Sequence, residues 1–237
     1  MNQSPNPSGS YPSTAADLYD EGLRSYMLKI YNHMVAGLAV TGLVAFWLAS
    51  SPETMAAIIG SWLVFPAIFA PFLGVFLISF GVRSMSASAV TTIFYIWCAS
   101  FGISMSFVAV QYSGADIARA FFITSGAFAA LCAYGYTTRT PLSGMAAFLV
   151  VGLFGIVLSS IVNLFLGSSA LEFAISAASV VVFGGLAAWD TQKLKENYNA
   201  ADDAESSSKL AILGAVDLYL DFLNLFLAIL RLMGNKK

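Results

Sequence analysis

The sequence predicts an all-α polytopic membrane protein, a bundle of seven transmembrane helices with the C-terminal helix at its centre. Three observations carry that expectation. Of 237 residues, 58% are hydrophobic and only 10% are charged, far below the roughly 25% charged residues of a soluble domain. Seven stretches are apolar enough for a crossing, which needs roughly 20 residues because hydrocarbon is about 30 Å thick and a helix rises about 1.5 Å per residue. The last stretch carries Asp217 and Asp221, acids that belong against protein or water and not against lipid.

The elements follow in order. Residues 1–23 read as a disordered polar tail, richest in Ser, Pro and Asn over MNQSPNPSGSYPSTA. A cleavable signal peptide is not expected: the basic start is missing, and Asp17, Asp20 and Glu21 precede a long apolar span. Residues 24–237 then form a single transmembrane domain, with helices expected at about 34–50, 60–82, 88–110, 118–136, 144–166, 171–189 and 210–230. The gaps are short and carry turn or helix-start residues such as Ser51-Pro52, Ser113-Gly114 and Thr140-Pro141. Residues 193–209 make the one long polar loop, so nothing divides the chain into two domains.

Basic residues are retained in the cytoplasm, which gives the orientation. With the N-terminus inside, the inner segments hold Arg24, Lys29, Arg83, Arg139, Lys193, Lys195 and Lys209, against Arg119 near an outer loop. The expected location is the bacterial inner membrane with a cytoplasmic N-terminus. Arg231, Lys236 and Lys237 then lie outside if the last stretch crosses, and inside if it is a re-entrant hairpin. Crossing is preferred, because neither Gly nor Pro interrupts residues 215–230.

Composition also narrows the chemistry. Cys98 and Cys132 fall in different apolar spans and read as packing residues; His33 has no second His or Cys beside it to build a transition-metal site. Phosphate-loop, G-x-S-x-G and basic nucleic-acid-binding patterns are absent from the sequence. No tightly bound cofactor, no nucleic acid and no enzymatic activity are expected; the lipid bilayer is the evident partner, other membrane proteins a further one.

The acids in the last stretch carry the functional argument. Thirteen Leu, Ile, Val and Phe residues between 210 and 230 favour insertion by roughly 0.3–0.6 kcal/mol each, while each central Asp costs about 2.5–3.5 kcal/mol. The two sums nearly cancel, so the helix depends on its neighbours. Asp217, Asp221 and Asn224 share one polar stripe by their i, i+4 and i+3 spacing. A buried carboxylate needs a partner, and Asp190 in GGLAAWDTQKLK ends the sixth span where the seventh begins. Gly184 and Gly185 would permit close helix approach, and Asp190 can meet either Asp217 or Asp221 if the sixth helix runs past its hydropathy edge.

YGYTTRTPLSG (134–144), GLAAWDTQKLK (185–195) and LYLDFLNLF (218–226) resemble the Bax inhibitor-1 family, also called transmembrane Bax inhibitor motif proteins, in its bacterial branch. The resemblance covers the chain from about residue 24. It implies seven transmembrane helices with the last one central, and a pH-sensitive calcium leak controlled by two aspartates. By motif position these are Asp190 of WDTQK and Asp221 of LYLDF, which would also meet calcium weakly and transiently as permeant ion. It further implies an arginine partner on the second helix, for which Arg83 is the candidate. The chemistry agrees: calcium takes oxygen ligands, and Asn224 with main-chain carbonyls can supplement two carboxylates. Two carboxylates in contact share a proton and titrate as a unit.

Three functional classes follow: a pH-sensitive calcium-permeable leak channel gated by the di-aspartyl pair, a regulatory or interaction protein in stress, proteostasis or cell-death control, and an intramembrane aspartyl protease. The G-x-G-D motif of such proteases is absent from this sequence, which makes the third the weakest.

Overall fold

The computed structural model of the chain describes residues 15–62, 64–82 and 84–235. Arg83, with residues 1–14, Leu63, Lys236 and Lys237, lies outside the described residues. The described chain is all helical: α1 Ala15–Ala49, α2 Pro52–Ile59, α3 Val64–Gly81, α4 Ala87–Gln111, α5 Gly114–Thr137, α6 Ser143–Leu166, α7 Ser169–Glu196 and α8 Ala204–Met233. Six of these, α1 and α4 to α8, are long and apolar enough to cross a membrane. Of the other two, α3 occupies the second expected stretch, 60–82, and α2 is a short helix in the gap expected before it.

Helix starts follow from local chemistry. Pro52 opens α2 at a position whose N–H has no intrahelical partner anyway. Ser86, Ser113, Ser168 and Asp203 cap α4, α5, α7 and α8, each side chain accepting a main-chain N–H from the first turn. At the far end of α6, Gly167 takes a left-handed conformation with φ 59° and closes the helix.

Three helices outrun their apolar stretches by six residues or more at one end. Helix α1 begins at Ala15, so residues 15–23, expected in the polar tail, are helical. They have packing partners: Tyr198, just past α7, lies 5.3 Å from Tyr19 and 5.5 Å from Tyr26 between ring centroids. Helix α7 continues to Glu196 and α8 begins at Ala204, which shrinks the polar loop to a few residues.

Helix α8 packs against α1, α3, α4, α5 and α7. Its apolar window is 67% buried, against 44% for α7 and 6% for α6. That difference puts α8 at the centre and α6 at the rim, where Phe154, Leu158 and Phe165 face outward. On one side of α8, Tyr219 is fully buried among Phe94, Trp97 and Phe101, and its hydroxyl meets the Thr41 hydroxyl at 2.6 Å. Being continuous over 30 residues, α8 advances about 45 Å and does not turn back, so the re-entrant hairpin is not formed. Gly184 and Gly185 face Leu131 of α5 and Leu149 of α6, so they seat α7 on those helices and not on α8. Among the described glycines the closest approach to another helix's main chain is at Gly135 of α5, where a Cβ would strike the carbonyl of Ala188.

Candidate functional site

Antiparallel packing of α7 and α8 builds the site. Asp221 follows Tyr219 by two positions, about 200° around the helix, so while Tyr219 faces α1 and α4, Asp221 turns toward α7. There its carboxyl contacts that of Asp190 within hydrogen-bonding range. Asp190 is 8% exposed and Asp221 5%. Oδ2 of Asp221 is buried and receives no hydrogen bond among the described residues. One turn nearer the α7 terminus, the Lys193 ammonium donates to Oδ1 of Asp190 at 3.4 Å and stands 3.8 Å from Oδ2 of Asp217.

Asp190 and Asp221 are thus brought together, and Asp217 is not in the same contact. It sits with Lys193 nearer the helix ends, its side chain 43% exposed. Asn224 is also apart: its Nδ2 donates to the Leu220 carbonyl of its own helix at 2.8 Å, so the stripe shared in sequence does not aim a third polar group at the pair. The structure adds Lys193, which sequence reasoning did not single out. The signal was present, since Asp190 and Lys193 stand i, i+3 on one helix face.

A second polar cluster adjoins the acids. The Tyr31 hydroxyl, the Cys132 thiol and the Thr191 hydroxyl gather from α1, α5 and α7 beside Asp221, and Thr191 donates to the Ala187 carbonyl of its own helix at 2.8 Å. Below it the conspicuous sequence stretches lock together. Gln192 accepts the Leu142 N–H at 2.7 Å and donates to the Thr140 carbonyl at 3.0 Å, while the Lys195 ammonium donates to the Tyr136 carbonyl at 2.8 Å.

Two buried carboxyls in contact repel strongly when both are ionised, so a proton or a cation must lie between or beside them. Lys193 supplies one positive charge, 41% exposed and therefore screened by water. Among the described residues no group of three or more His, Cys, Asp or Glu side chains gathers to hold a metal ion. The two carboxylates supply fewer than the six to eight oxygens that calcium takes.

The stretches that meet here are those of one sequence family: the family described as inhibitor of apoptosis-promoting Bax1 matches residues 23–237. The chain belongs to the Bax inhibitor-1 family. The inner membrane protein YbhL of Escherichia coli K12 is 40% identical over 219 residues, covering 91% of this chain and 94% of YbhL. An uncharacterized protein of Rickettsia prowazekii is 43% identical over 220 residues, covering 92% and 93% of the two chains. One from Caulobacter vibrioides is 34% identical over 241 residues, covering 96% of each. In this Bax inhibitor-1 family member, as an integral membrane protein, the outward apolar side chains of α6 meet lipid.

Proposed function

We propose that the protein is a pH-sensitive leak pathway for calcium across the bacterial inner membrane, passive and non-enzymatic, in which the Asp190–Asp221 pair is the gate. One observation carries this reading: two buried carboxyls meet between α7 and the most buried helix, α8, and an oxygen of one lacks a hydrogen-bond donor among the described residues. Such a pair holds α7 to α8 while it shares a proton and repels when both groups ionise, so its proton count changes how the two helices fit. Burial of both groups suits a closed conformation, and on opening they would offer hard oxygen ligands to a passing divalent cation.

We read α3 as the seventh crossing beside the six long apolar helices, with α2 lying at the outer surface. In that topology the N-terminus, the loop holding Arg139 and the α7–α8 connection are cytoplasmic. The balance of basic residues supports this orientation, and the inner membrane is carried over from the name of YbhL.

Purified full-length protein in vesicles holding a calcium-sensitive dye tests the reading. Calcium entry that varies with pH is expected. No entry at any pH would overturn it and leave a regulatory or interaction role as the better reading.

A further inference from the structure

A groove opens on the side of the bundle between α1 and α5, with α8 as its floor. Its larger part encloses about 1100 Å³ and runs from Arg24 past Tyr31 and Leu38 to Gly42, with Phe121 opposite and Phe222 at the base. A further 550 Å³ shares Leu38, Gly42, Phe121 and Phe222 and extends it along α1 to Ser50. Between two membrane-spanning helices such an opening faces hydrocarbon, so acyl chains are what it meets.

Length and charge narrow the occupant. From Arg24 to Gly42 the α1 axis advances about 27 Å, which holds a headgroup and one extended acyl chain of a single leaflet, about half of the roughly 30 Å hydrocarbon core. A Cβ added at Gly42 would meet nothing within 4 Å, so the wall leaves room there. Counting roughly 20 residues back from Ala49 sets the hydrocarbon edge near residue 30, and Arg24 lies beyond it at headgroup level. Arg24 has no ion-pair partner among the described residues, and no carboxylate lines this part of the groove. A second cation stands at the same mouth: Lys195 is held 5.3 Å from the ring of Tyr136, which lines the groove. Basic pockets between transmembrane helices suit anionic headgroups.

We propose that this groove binds one anionic glycerophospholipid, its phosphate on Arg24 and one acyl chain laid between α1 and α5 against Phe222. The bound chain would press on the residue that follows Asp221, yet its binding does not depend on ion flux.

The test uses full-length protein, delipidated in detergent, titrated with phosphatidylglycerol or phosphatidylcholine of identical acyl chains and read by native mass spectrometry. Wild type is expected to retain one phosphatidylglycerol in preference to phosphatidylcholine. Arg24→Gln should weaken phosphatidylglycerol about fivefold, the effect of one cation near a headgroup, and leave phosphatidylcholine unchanged. Gly42→Phe should fill the groove and weaken both lipids. Arg119→Gln, which removes a cation paired with Asp116 at 3.8 Å on another helix end, should change neither. Equal retention of the two lipids by wild type, or Arg24→Gln binding like wild type, would overturn the proposal. Should Gly42→Phe not fold, the lipid comparison and Arg24→Gln decide it alone.

Discussion

The Lys193 ammonium stands 3.4 Å from Oδ1 of Asp190, the acid whose carboxyl touches that of Asp221. A cation in that position favours ionised carboxyls. Replacing Lys193 with Met therefore lets the pair keep its proton to higher pH, and the midpoint of the pH response in calcium flux should move upward. The expected size is about one pH unit, the low end of what an opposite charge does at this range, because the ammonium is 41% exposed. A downward or absent displacement, read from flux at stepped pH, would remove Lys193 from the gate.

Helix packing makes a sharper prediction at Gly135. Its missing Cβ leaves room for the Ala188 carbonyl of α7, two residues before Asp190. Gly135→Ala should destabilise by about 1–3 kcal/mol, the usual range for overpacking, and lower the melting temperature in detergent. Gly42→Ala, where a Cβ meets nothing within 4 Å, should leave it unchanged or higher.

At the entrance to α8, Asp203 accepts the main-chain N–H of Ser206 and of Glu205, each at 2.9 Å, and the Ser206 hydroxyl at 2.9 Å. The Ser206 N–H and then its hydroxyl hold the Asp203 carboxyl below its ordinary value of 3.8. The sign follows: with the folded value depressed, the cap's contribution is present above the unfolded value and lost as pH falls through the folded one. Asp203→Ala should speed amide hydrogen exchange in the first turn of α8 at neutral pH, and Asp203→Ser should largely restore protection. In wild type the same loss should appear only below about pH 4.

Topology is checked by labelling. In the proposed orientation a cysteine replacing Ala204 is shielded from an impermeant reagent added to the periplasmic side, while one replacing Asn235 reacts from that side. Labelling of position 204 from the periplasm would invert the orientation.

How much of this was legible in the sequence depended on where water begins. Helices α4 and α6, Ala87–Gln111 and Ser143–Leu166, end within a residue of their apolar stretches because turn residues sit at the hydrocarbon edge. Helices α1, α7 and α8 run on into polar segments, where hydropathy loses its signal although Tyr19, Tyr26 and Tyr198 still pack. Spacing drew Asp190 into the search but left it a choice between Asp217 and Asp221, because helix register depends on how far α7 runs past Asp190. Asn224 shares the stripe, yet its amide bonds its own main chain, which a shared helix face does not prevent. Hydropathy reads the polar position of Lys193 as loop, whereas it is helical and faces Asp190.

The central claim is that the Asp190–Asp221 pair sets the pH response, and calcium flux through Asp221→Asn tests it most directly. Asparagine keeps the size and polarity of the side chain but cannot share a proton with Asp190. Measured in vesicles from about pH 5 to pH 9, a range in which buried carboxyl groups titrate, wild-type flux should change with pH, while Asp221→Asn and Asp190→Asn give nearly flat profiles and Asp217→Asn stays close to wild type. Asp221→Asn and Asp190→Asn profiles that follow pH as wild type does would contradict it.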